Sequence, residues 1–182
     1  MKYERRARAD LACDSLHLAF LRFLAVDGNP EVGRFGVKLT YHAQTAKLPD
    51  STDWAIYSPN VPVFGMDDGA ELDRPWLLNF ITCAAPYAPA VGQPQAGDQL
   101  KQRIHRVLAI TRGYGYAALV LGAWGCGAFA NDPHRTAMDF RQALENDYSG
   151  AFSDIVFAIT DWSPERKFLG PFRDVFAAHA NA

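Results

Sequence analysis

Apolar positions along the chain fall into short runs and helical stripes that follow one another in a regular order. From Arg5 to Ala25 the residues are Ala, Leu, Arg and Phe rich and free of Gly and Pro until Gly28-Asn29-Pro30, a composition that predicts a helix ended by that turn. Asn29 to Asp53 has weak periodicity and reads as a loop-rich connection with a short strand around Val37 to Tyr41. Ala55 to Phe64 is β-branched and aromatic, but Pro59 and Pro62 remove ladder donors and predict an edge or broken strand. Met66-Asp67-Asp68-Gly69 supplies a turn. Trp76 to Thr82 is an apolar run of strand length, expected to be central and buried, and it stops in the small segment Cys83-Ala84-Ala85-Pro86.

Beyond a flexible stretch from Gly92 to Gly97, Asp98 is expected to cap a helix whose apolar positions Leu100, Ile104, Val107 and Leu108 keep the 3.6 period, closing at Gly113. Ala117 to Leu121 is a continuous apolar strand. Asp132-Pro133 then combines a cap with proline at the first helical position, and Ala137, Phe140 and Leu144 mark the inner face of that helix. Ile155 to Ile159 is a third apolar strand, and Pro171 to His179 closes the chain as a helix. This alternation predicts an α/β fold with parallel crossovers and a sheet covered on both faces.

Composition supports one domain: 182 residues, 49% of them hydrophobic and 21% charged, are enough to bury a core. The net charge of -2, with no basic block interleaved with aromatics, argues against a grip on a nucleic-acid polymer. Cys13, Cys83 and Cys126 are odd in number and form no CxxC pair, so they read as reduced thiols of a cytoplasmic protein. No window approaches 18 uninterrupted apolar residues, and Met1 to Asp10 lacks an apolar signal region, so no membrane partner is expected. His17, His42, His105, His134 and His179 show no ligand spacing; neither a metal nor a cofactor is expected.

The segment with the most chemistry in it is Gly122-Ala123-Trp124-Gly125-Cys126-Gly127-Ala128-Phe129. It follows a strand and precedes a helix, the place where α/β sheets collect ligands and where backbone N–H groups converge on anions. Gly122, Gly125 and Gly127 permit positive φ and keep side chains out of the path of a phosphate. Phe129 is placed to lie against a ribose or base. The loop is neither a Walker loop nor GxGxxG, and glycine-rich turns also occur with no ligand at all. Cys126 invites comparison with a nucleophile elbow, but Trp124 and Ala128 break the GxSxG spacing and no histidine can be assigned as its base, which favours a small loop residue. Trp124 is expected to shape the floor of the loop.

The loop LGAWGCGAFANDP, the upstream IYSPNVPVF (Ile56 to Phe64) and the strand NFITCAAP (Asn79 to Pro86) together resemble the microbial-type poly(ADP-ribose) glycohydrolases, a branch of the macrodomain fold. The three segments stand in the family's order over roughly Asp53 to Asp161. The resemblance implies a single macrodomain-like domain over residues 1–182, a three-layer α/β/α with a mixed, largely parallel sheet. It implies ADP-ribose, poly(ADP-ribose) or ADP-ribosylated macromolecules as partners. Carried over by position, Gly122 to Phe129 would wrap the diphosphate and terminal ribose, and Thr82, Ala84 and Pro86 would border the adenosine side. Asn131 and Asp132 are expected to cap the following helix.

Family enzymes cut a ribose-ribose bond with a glutamate of a Gln-Glu-Glu motif, downstream of a Gly-Gly-Gly loop. The chemistry needs a carboxyl group that protonates the departing oxygen while an oxocarbenium-like ribose develops. Neither motif occurs in the 182 residues. In the segment Tyr3 to Leu16, which resembles the surroundings of that motif, Asp10 is the nearest carboxylate in one register and Glu4 in another. An ordinary solvated charge near a helix start is the competing reading of both. The family's amino-terminal portion is also missing, as in a shortened or mis-started copy, or in a relative that completes its sheet by forming a homodimer. Two functions follow from the sequence: a glycohydrolase, or an ADP-ribose-binding module without catalysis.

Overall fold

The computed structural model of the chain describes the backbone of residues 18–22 and, in full, residues 53–66 and 70–177. Among the described residues five strands form one sheet in the order β2-β3-β1-β4-β5, with β1 Leu18–Arg22, β2 Ala55–Gly65, β3 Glu71–Cys83, β4 Ala118–Leu121 and β5 Asp154–Phe157. Strands β3, β1, β4 and β5 run parallel, and β2 joins antiparallel at one edge. The helices are α1 Ala88–Val91, α2 Gln95–Gly113, α3 Pro133–Gln142 and α4 Leu169–Ala177, with a π-helical turn, Ala143–Asp147, extending α3. The α/β class and the mixed, largely parallel sheet are as expected.

Strand β1 corrects the helix expected from Arg5 to Ala25. Leu18–Arg22 pairs Ala19 with Asn79 on one side and Leu18 with Ala118 on the other, so it is the central strand. The four apolar residues Leu18 to Leu21 are too few to separate the two periodicities, and tertiary pairing on both edges overrides local helix preference. The rest of that helix, and the strand expected around Val37 to Tyr41, lie outside the described residues.

Edge strand β2 is irregular where the prolines sit, its register slipping between Ser58 and Val61. A hydrogen bond from the Met66 amide to the Ala70 carbonyl (2.7 Å) closes the β2–β3 turn. Strand β3 is interior but not buried throughout. Leu78 to Cys83 is largely buried, whereas Trp76 and Leu77 stand exposed, because only the carboxyl half of β3 is flanked by β1. Strand β5 is shorter than expected and half-exposed, with Val156 at 52%; its ladder with β4 ends at Phe157 opposite Leu121.

Side chains alternate along a strand. Ile81 and Cys83 of β3 and Leu119 and Leu121 of β4 therefore share one face, where they meet Leu100, Ile104, Val107 and Leu108 of α2 and Phe140 of α3. Phe172 and Val175 of α4 complete this core. Helices α2, α3 and α4 thus pack on this face, and β3–α2–β4 and β4–α3–β5 connect parallel strands of the one sheet.

Two helix starts differ from expectation. Helix α2 begins at Gln95, so Asp98 lies in its first turn rather than at the cap, and Ala96 and Gly97 are buried. A Cβ on Gly97 would come within 2.6 Å of the Arg135 guanidinium, so the supposedly flexible Gly92 to Gly97 stretch ends in a close helix-helix contact. Helix α4 starts at Leu169 instead of Pro171 because the Asp161 carboxylate accepts from the Phe168 (2.7 Å) and Leu169 (2.9 Å) amides.

Candidate ligand site at the carboxyl edge

The chain reaches β3 on one side of β1 and crosses to β4 on the other. The loops that follow β3 and β4 therefore face each other across the carboxyl end of the central strand, the switch point where open α/β sheets bind ligands. These loops are residues 84–87 and 122–132.

The second loop folds on itself in tight turns. Trp124 donates to the Gly122 carbonyl (2.9 Å), Cys126 to Ala123 (3.1 Å), Ala130 to Gly127 (2.9 Å) and Asn131 to Gly125 (2.9 Å). Among the described residues the amides of Ala123, Gly125, Gly127, Ala128 and Phe129 donate to no backbone carbonyl. Five N–H groups within seven residues, not used by the backbone, suit an anion.

The glycines of the loop serve different ends. Gly125 takes φ 73°. An added Cβ there would lie 2.7 Å from both the Ala85 Cβ and the Asn131 Nδ2, so only glycine fits. A Cβ on Gly127 would meet nothing within 4 Å, and Gly127 and Ala128 are exposed. Neither packing nor left-handed backbone requires glycine at 127; what its small size keeps clear is the outer face of the loop. Ala130 also takes a positive φ, 51°, where the chain turns toward α3.

Trp124 is buried in the core and forms the floor of the loop, as expected. Phe129 packs partly against the same core and meets the exposed Tyr87 edge-on, ring centroids 6.0 Å apart, which raises an aromatic rim beside the free amides. The thiol of Cys126 is buried and its Sγ donates to the Trp124 carbonyl at 3.5 Å. Burial pushes its pKa up to about 11, the opposite of what a nucleophilic thiolate needs.

The start of helix α3 is closed by the protein's own cap. The Asp132 carboxylate already accepts from the Arg135 amide (2.6 Å), with Pro133 in the first turn. A carboxylate of the protein itself thus fills the place where helix dipole and free N–H groups would otherwise attract a phosphate.

Of the residues expected on the adenosine side, Pro86 is buried and its carbonyl accepts from the Asn131 Nδ2. The Ala84 carbonyl accepts from Arg103 Nη1 (3.2 Å). Thr82 sits in the ladder, paired with Arg22 and Ile56, half-buried on the sheet face opposite Ile81 and Cys83. Glu4 and Asp10 lie outside the described residues.

Two residues of the site escaped the sequence reading. Arg103 is 1% exposed; besides Ala84 it holds Asp53 through Nε (3.0 Å), a hydrogen bond that keeps the Asp53 carboxyl below its ordinary range. Its signal was its place three residues after Leu100 and four before Val107, inside the apolar stripe, where a charge has to be paired. Asn131, 3% exposed, was read as a cap but binds three loop carbonyls through Nδ2, while the described residues supply no donor to its Oδ1. Among the described residues no three His, Cys, Asp or Glu side chains converge as metal ligands, and no helix is long and apolar enough to cross a membrane.

No protein-family model matches the chain, and no curated protein does. Solved structures do. Poly(ADP-ribose) glycohydrolase from Deinococcus radiodurans in complex with ADP-ribose is 35% identical, with a TM-score of 0.79 over 91% of this chain and 78% of that one. The same protein in apo form gives 36% identity and a TM-score of 0.78, covering 90% and 75%. The enzyme of Thermomonospora curvata is 32% identical, TM-score 0.76, covering 88% of this chain and 68% of its own.

Proposed function

The chain belongs to the microbial poly(ADP-ribose) glycohydrolase family, and from that premise we propose that it binds ADP-ribose with the diphosphate on the loop from Gly122 to Phe129. The observation that carries this reading is the set of loop amides with no backbone acceptor, in a loop at the switch point that also carries Phe129, packed edge-on against Tyr87. A diphosphate offers several anionic oxygens to such a cradle, and oriented N–H groups bind it without side-chain charge. Phe129, braced by Tyr87, gives the ribose or adenine an apolar face. In this reading the whole chain is one macrodomain-like domain acting in the cytoplasm.

Calorimetry with ADP-ribose tests the proposal on the parent and on Gly127→Glu. The substitution adds a carboxylate among the free amides at a position whose Cβ meets nothing, so the melt stays unchanged. Affinity is expected to fall on the order of a hundredfold from charge repulsion near 4 Å in a partly screened site. Equal binding by both proteins, or none by the parent, sinks it.

Hydrolysis of poly(ADP-ribose) or of ADP-ribosylated macromolecules is the activity the family suggests, with Glu4 and Asp10 as the carboxylates the sequence offers for protonating the leaving oxygen. Binding without catalysis is the second reading, motivated by the glycine-rich loop, whose amides suit an anion whether or not a carboxylate acts beside them. Release of free ADP-ribose by the parent, lost in Glu4→Gln or Asp10→Asn, identifies the enzyme. Binding without release, beside an active control, identifies the module.

A further inference from the structure

We propose that Asn131 is a positioning residue that locks the loop after β3 to the glycine-rich loop, so that the two loops of the candidate site hold their shape as one unit. This rests on the ADP-ribose reading for its functional consequence, although the lock itself is a property of the free protein. The Asn131 Nδ2 reaches the Pro86 carbonyl at 2.9 Å in one loop and the Gly125 carbonyl at 3.1 Å in the other, with Phe129 at 3.5 Å. The Ala88 amide adds a second tie, to the Phe129 carbonyl (3.0 Å). Gly125 leaves room for this arrangement, since a Cβ there would overlap the Asn131 Nδ2. Helix capping does not need Asn131, because Asp132 performs it. A buried amide donating to carbonyls of two loops 45 and 6 residues away in sequence is therefore a cross-brace, and it holds the carbonyl of Gly125 while leaving that residue's N–H turned to other uses.

Asn131→Asp isolates the donor. It preserves size and Oδ1 but replaces Nδ2 with an anionic oxygen against three carbonyls. Hydrogen exchange on the ligand-free protein is expected to show the Ala88 and Asn131 amides exchanging about tenfold faster or more, with Val107 and Leu119 unmoved, since a lost buried hydrogen bond is worth about that factor. At a temperature where the melt shows full folding, ADP-ribose binds about tenfold more weakly or worse. Asn131→Ser keeps one donor and falls between parent and Asp variant; it carries both measurements if the Asp variant does not fold. Unchanged exchange at Ala88 overturns the lock, and a Kd within about twofold of the parent overturns its role in binding. Should the parent bind no ADP-ribose, the functional reading falls while the exchange experiment still decides the lock.

Discussion

Two loops leave the carboxyl edge of adjacent strands and treat their backbone N–H groups in opposite ways. The loop after β5 turns its amides on its own side chains. Asp161 accepts from the amides of Ser163 (3.0 Å), Phe168 and Leu169 and from the Ser163 hydroxyl (2.6 Å), while the Lys167 amide donates to the Ser163 Oγ (2.8 Å). The loop after β4 has no acidic residue between Gly122 and Asn131, and five of its amides meet no backbone carbonyl among the described residues. One loop is an anion cradle filled by the protein's own carboxylate; its neighbour, with no such carboxylate, is the cradle we propose for an anion from outside. Both obey the same rule that backbone donors seek acceptors, and the difference lies in whether the sequence supplies one.

The comparison breaks most sharply at Gly125, whose backbone geometry shapes the open cradle. Gly125→Ala imposes a left-handed conformation on a non-glycine residue and drives its Cβ to 2.7 Å from that of Ala85. Together these are expected to cost about 3 kcal/mol of stability, read as a lower urea midpoint at constant slope. A loss below about 1 kcal/mol shows that the loop relaxes easily and that its shape is not held by the glycine. Gly127, exposed and unconstrained, is the opposite case: there the consequence of substitution is expected to fall on the proposed ligand and not on the fold.

A smaller effect is expected at Asp132, which closes the helix start behind the loop. Asp132→Ala removes the acceptor of the Arg135 amide and costs about 1 kcal/mol in thermal or urea unfolding. ADP-ribose affinity is expected to stay within about twofold, because the proposed seat of the diphosphate is the loop amides and not the capped end of α3. Tighter binding after the cap is removed would move the anion to the helix terminus and undo the contrast between the two loops.

Much of this was legible from local pattern. The stripe Leu100, Ile104, Val107 and Leu108 is buried to within 1% of complete, and Asp132-Pro133 starts a helix as its chemistry dictates. The glycine-rich loop was legible too, as small residues between a strand and a helix. What stayed hidden depends on distant partners. Nothing within Leu18–Arg22 reveals that its neighbours are Asn79 and Ala118, so a helix reading was natural. Asn131 reads locally as a cap; its role appears only when Pro86, 45 residues earlier, arrives beside it. Trp76 and Leu77 look like core in an apolar run, yet they stand exposed, and among the described residues β1 pairs only with Asn79 to Thr82 of this strand.

The smallest effect sharpens the comparison from the filled side. Hydrogen bonds from the Ser163 hydroxyl and then from the Leu169, Ser163 and Phe168 amides hold the Asp161 carboxyl far below its ordinary value of 3.8. A carboxyl with a depressed pKa in the folded state contributes stability above the unfolded pKa and loses it as pH falls toward the folded one. The loop after β5 is therefore expected to weaken as pH drops below 3.8, and Asp161→Asn flattens that part of the stability-versus-pH curve. Asparagine keeps one acceptor oxygen, and solvent screens the exchange of charge, so the change in melting temperature at neutral pH is small. ADP-ribose affinity is expected to stay at the parent value, because the amides around Asp161 are taken up by that carboxylate and lie outside the proposed site. A weaker affinity in Asp161→Asn, measured by the same calorimetry, would make the two loops one site and not a filled cradle beside an open one.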